Sequence, residues 1–65
     1  MDTMKLKGII AENGLSQRKV AKAIGLTERT FYAKMKKGVF GTDEADKMID
    51  LLHIKDAAAV FLSKK

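Results

Sequence analysis

Ser16-Gln17-x-x-Val20-Ala21-x-x-Ile24-Gly25-Leu26-Thr27-x-x-x-Phe31 holds two helix starts with a glycine turn between them. Ser16 offers a hydroxyl to start one helix, and Thr27 offers another. Between them Val20, Ala21 and Ile24 recur at helical spacing, which predicts a short helix over about residues 17–24. Gly25 stops it and supplies the positive φ of a tight turn. A third helix is predicted over about 28–36, with Phe31 and Met35 one turn apart and facing inward. Ala21 has to be small where the third helix crosses it. Leu26 and Phe31 fill the gap between the two helices, and Val20 and Ile24 hold the pair on the remaining core.

Two short helices joined by such a turn have the spacing of a helix-turn-helix, about residues 16–37. The flanks also read as helix. Asp2 or Thr3 can cap a first helix of about residues 4–13, with Leu6, Ile9 and Ile10 inward, Met4 on the flank and Asn13-Gly14 as its exit. Gly8 within it either permits close backbone packing or costs about 1 kcal/mol of helix stability. Thr42 is the expected cap of a fourth helix, whose Asp43, Glu44 and Asp46 suit a positive dipole end. Ala45, Met48, Ile49 and Leu52 form its apolar face, and Ile54 tucks under the core. His53 stands alone near the end of that helix and reads as a C-terminal cap or dipole partner. Asp56 caps a last helix of about 57–63, with Val60 and Phe61 as its apolar anchors. The expected class is therefore all-α, with five short helices in one domain spanning 1–65.

Charge placement follows the same division. The chain carries 13 Lys and Arg against 8 Asp and Glu, a net charge of +5 over 65 residues. Residues 1–15 balance to zero. Residues 16–38 carry Arg18, Lys19, Lys22, Arg29, Lys34, Lys36 and Lys37 against Glu28 alone, a surplus of +6. Residues 39–63 sum to −3, and Lys64-Lys65 return +2. A positive excess concentrated on one motif points to a polyanion such as nucleic acid.

Several function classes drop out. The chain has no Cys, which excludes disulfides, Cys-type zinc sites and thiol chemistry. Its longest uncharged run is Ala57 to Ser63, far short of the roughly 20 residues of a membrane span. Met-Asp-Thr-Met-Lys-Leu-Lys-Gly at the start has no apolar segment of the secretory kind. A cytoplasmic location, in a bacterial or phage-infected host cell, is the expectation. Paired catalytic carboxylates, a Gly-rich phosphate loop and a Ser/His/Asp set are all missing, so no enzyme, cofactor, metal or small-molecule ligand is expected.

The quoted stretch resembles the helix-turn-helix of the phage Cro and repressor (XRE-type) family. Leu6 and Asn13-Gly14-Leu15 fit that family's first helix and its exit. Met48, Ile49, Leu52 and Ile54 fit its fourth helix and the following turn, so the likeness covers about residues 4–62. The resemblance implies a lambda repressor-like DNA-binding fold, with the third helix in the major groove of double-stranded DNA. The base-reading residues would be Glu28, Arg29, Tyr32 and Ala33. Arg29 can pair bidentately with guanine, and Glu28 can accept from a cytosine amino group. Tyr32 and Ala33 can touch thymine methyls. Ser16, Gln17, Arg18, Thr27, Lys36 and Lys37 are the phosphate candidates. The implied function is a sequence-specific regulator on a pseudo-palindromic operator. It would bind as a homodimer that is weak off DNA, through Phe40, Val60, Phe61 and Leu62.

Three positions depart from the family pattern. Gly41-Thr42-Asp43-Glu44 stands where relatives are often basic, so a phosphate clamp there would fall to backbone N–H groups or to Lys36 and Lys37. Ile10 and Met35 stand where some relatives pair an Arg with a Glu, which predicts an apolar contact. Lys34 occupies a position that is usually apolar, so its stem is expected to pack and its ammonium to reach solvent. The acidic fourth helix and Val39-Phe40 also fit a different class, an antitoxin or protein-interaction module that antagonises another regulator.

Overall fold

Polar side chains start four of the helices. Asp2 accepts the Lys5 N–H at 3.0 Å, Ser16 the Lys19 N–H at 3.2 Å, Thr27 the Thr30 N–H at 3.1 Å and Asp56 the Ala59 N–H at 3.2 Å. Each such cap stabilises its helix by about 1 kcal/mol. In a computed structural model, which describes residues 1–62, they open α1 (Thr3–Glu12), α2 (Gln17–Ala23), α3 (Glu28–Lys37) and α5 (Ala57–Phe61). The remaining helix, α4 (Thr42–Leu52), starts differently from the expectation. Gly41 is its N-cap and Thr42 its first residue, and Glu44 reaches back to accept the Gly41 N–H at 2.8 Å. That is the Glu half of a capping box, with no side chain at the cap to answer it.

The first four helices end alike. Leu15, Leu26, Val39 and Ile54 each donate a backbone N–H to the carbonyl five residues back: Ile10, Ala21, Lys34 and Ile49 respectively. This closure requires the residue just before the donor to be left-handed. Gly25, with φ +82°, does so in the turn between α2 and α3. At the end of α4 the same place is taken by His53, with φ +53°, the one positive-φ residue among the described residues that is not glycine. His53 is thus the C-cap of α4, and an exposed one.

The fold is all-α, and α2 packs chiefly against α3, an arrangement compatible with a helix-turn-helix. One core holds the five helices together. Leu6, Ile10, Val20, Ala21, Ile24, Phe31, Met35, Met48, Leu52, Ile54 and Val60 are its buried members. Phe31 lies at the centre, fully buried, with the Phe40 ring tilted against it at 5.3 Å between centroids. Ile10 of α1 and Met35 of α3 are both buried in this cluster, as the apolar contact expected between them requires. The first and last helices are tied together as well, because the Asp2 N–H donates to the Val60 carbonyl at 2.8 Å. Asn13 joins two helix ends by donating to the carbonyls of Ile9 at 2.9 Å and Leu52 at 3.2 Å.

Two expectations need correcting, and two others are refined by the packing. Val60 is 1% exposed and belongs to the core, so it cannot be a dimer contact. Met4 is not on a packed flank but is largely exposed. A Cβ on Gly8 would meet nothing within 4 Å, so that glycine permits no close approach and only weakens α1. The Lys34 side chain keeps 34% exposure, and its ammonium donates to both Glu44 carboxylate oxygens, at 2.8 and 2.7 Å, and so ties α3 to the first turn of α4. The last helix ends at Phe61, and Ser63 of its expected range lies outside the described residues, as do Lys64 and Lys65. Among the described residues no helix is long and apolar enough to cross a membrane.

Candidate nucleic-acid interface

Burying Phe31 and Met35 fixes which side of α3 faces out. Glu28, Arg29, Tyr32, Ala33 and Lys36 are all exposed. At about 100° per residue these positions fall within an arc of roughly 140°, so they form one face. All four expected base-reading residues therefore lie together on a surface with no packing duty. Tyr32 is the partial exception, since its ring meets Phe31 edge to face at 6.4 Å. That contact steadies the ring while 45% of the residue stays open. A half-fixed aromatic beside Ala33 is well suited to a thymine methyl.

The expected phosphate residues do not all keep free hydroxyls. Ser16 accepts its capping bond and retains a proton to donate. Thr27 accepts from the Thr30 N–H and also donates to the Thr30 hydroxyl at 2.8 Å, so its side chain is committed to capping α3. Lys36 and Lys37 are exposed in the last turn of α3, where cations also complement the helix dipole. Arg18, in the first turn of α2, stands with its Nε 3.6 Å from Glu28 Oε2.

Gln17 opens onto a groove of about 500 Å³ between α1, α2 and α3. Thr3, Lys7, Tyr32, Met35 and Lys36 line the rest of it. Lys7 is the residue that sequence reasoning misses. Residues 1–15 carry no net charge, so nothing in their composition marks Lys7, and only the fold brings it beside Lys36. Two ammonium groups and an amide around one groove, at the edge of the α3 face, make a cationic seat for an anion such as a backbone phosphate.

Glu44 is held below its usual carboxylate range, first by the hydrogen bonds from Lys34 and then by the Gly41 backbone N–H. Its side chain is 17% exposed. Phe40, Phe61 and Leu62 border a second groove of about 300 Å³ together with Met1 and Val39. Val39 and Leu62 are 65% and 78% exposed, while Phe40 is half-buried against Phe31. The three described apolar residues other than Val60 expected at a dimer contact thus do share one surface.

No protein-family model, no curated protein and no solved structure matches the chain.

Proposed function

We propose that this chain is a sequence-specific double-stranded DNA-binding regulator of Cro or repressor type. The observation that carries the reading is the exposed face of α3. Glu28, Arg29, Tyr32, Ala33 and Lys36 all point away from the core, on the segment that holds the +6 surplus. In this reading α3 enters the major groove, with Arg29 on a guanine and Glu28 on a cytosine amino group. Gln17, Lys7, Lys36 and Lys37 hold the flanking phosphates. One domain spans only half of a typical operator, so two copies bind a pseudo-palindrome with half-sites about 34 Å apart. Phe61, Leu62 and Val39 supply the contact between them, with Phe40 beneath. A cytoplasmic location follows from this role.

A salt titration of duplex binding tests the reading. Each phosphate neutralised contributes about −0.9 to the slope of log affinity against log salt. A steep negative slope supports a DNA-binding face, and a flat one overturns it. The apolar groove at Val39 and Leu62 favours a second reading, in which the chain is an antitoxin or antagonist that binds another regulator. In that case a stoichiometric protein partner is captured and no duplex is selected.

A further inference from the structure

Glu28 is the sole acidic residue between positions 16 and 38, and it stands at the start of the helix proposed to meet DNA. An unaccompanied carboxylate there is repelled by every phosphate nearby, whatever the sequence. The structure supplies a companion. Arg18 Nε lies 3.6 Å from Glu28 Oε2, across the turn that joins α2 to α3. The side chains are 81% and 48% exposed. A pair so open contributes little to folding. Glu28 does not need it either, since an acid in the first turn of α3 is already favoured by the helix dipole. The pair therefore lacks a sufficient structural reason, yet it sits on the reading face.

We propose that Arg18 is a positioning residue for Glu28, holding its carboxylate toward a cytosine amino group and offsetting its repulsion by the phosphates. The inference rests on the DNA-binding reading above and deepens it, by assigning a specificity role to a residue outside α3. In water the pair is weak. Against DNA, where water is displaced, the same two charges attract more strongly. Nε is the atom near Glu28, which leaves the terminal guanidinium nitrogens for a phosphate. Arg18 can thus bridge backbone and base reader at once. It influences sequence choice without touching a base.

Enrichment from random duplex DNA with wild type, R18A, R18K, E28Q and the R18A/E28Q double variant tests this, with melting curves to verify folding. Wild type should select cytosine at one position per half-site, and E28Q should abolish that choice. R18A should reduce the cytosine preference by about 10-fold, the range a single good base contact commands. R18K, which keeps the charge, should retain the preference. On the wild-type duplex, R18A should cost about 5-fold more affinity with Glu28 present than in the E28Q background, because coupled neighbours are not additive. If R18A weakens all duplexes alike, keeps the cytosine preference and costs the same in both backgrounds, Arg18 is a phosphate contact only and the inference is wrong. If wild type itself selects no duplex, the DNA reading fails first, and that outcome is visible before any variant is compared.

Discussion

Replacing His53 by glycine should make the protein more stable. His53 closes α4 with φ +53°, in the place where α2 ends on Gly25. A residue with a Cβ is strained there by about 1–2 kcal/mol. Glycine removes that strain but brings back backbone freedom in the unfolded chain, at a cost of about 0.4–1 kcal/mol. The His53 side chain is exposed, and no hydrogen bond or ion pair from it is present to be lost. The net expectation is a gain of about 0.5–1 kcal/mol, or a few degrees in Tm for a domain of this size. Thermal unfolding followed by circular dichroism at neutral pH measures it. H53A is the control: it keeps the Cβ and discards the imidazole, so it should leave Tm nearly unchanged. Equal gains from H53G and H53A would place the strain in the side chain, not the backbone. A loss in both would mean that the imidazole makes a stabilising contact, and either result refutes the argument.

Other consequences are as direct. Gly8→Ala should raise stability by about 1 kcal/mol, since the added methyl meets open space in a helix interior; an unchanged or lower Tm would contradict this. Glu44 has a lowered pKa in the folded protein, so its contribution is present above the unfolded value near 4.5 and is lost as pH falls through the lower folded one. Wild type should therefore lose more stability than E44Q between about pH 5 and the acid limit, and parallel acid melting curves for the two would argue against the Lys34–Glu44 latch. Lys7→Ala should weaken binding to all duplexes alike and make the salt slope shallower by about 0.9; a changed base preference would move Lys7 out of the phosphate role. Leu62→Asp should separate the two copies on DNA while leaving Tm nearly intact, as read by complex stoichiometry in sedimentation, and a persistent two-to-one complex would exclude that surface.

Much of the fold is legible in the sequence, and particular residues explain why. Gly14, Gly25 and Gly38 each precede an apolar residue and mark helix ends by their chemistry. The end of α4 obeys the same rule with His53 as its C-cap: the residue's place near the helix end was legible, while its left-handed backbone was not, since a glycine would signal that more strongly. The last helix is five residues long, too short for periodicity to choose an inner face. Val60, Phe61 and Leu62 are consecutive and apolar, and successive helical residues diverge by about 100°, so they cannot all face one way. Val60 turned inward and Leu62 outward. The Lys34–Glu44 pair joins residues ten apart across a turn, beyond the spacings at which a helix itself brings charges together. The face of α3 was legible because Phe31 and Met35 announce the opposite side. Lys7 was not, since only the packing of α1 brings it beside Lys36.

The proposed function stands or falls with the outward face of α3 reading DNA. Enrichment of random duplexes by wild type and by R29A tests it most directly. Wild type should yield a palindromic consensus with a guanine in each half-site, and R29A should lose about 1–3 kcal/mol confined to that guanine. Enrichment of no duplex by wild type, or a consensus that R29A leaves unchanged, would contradict it.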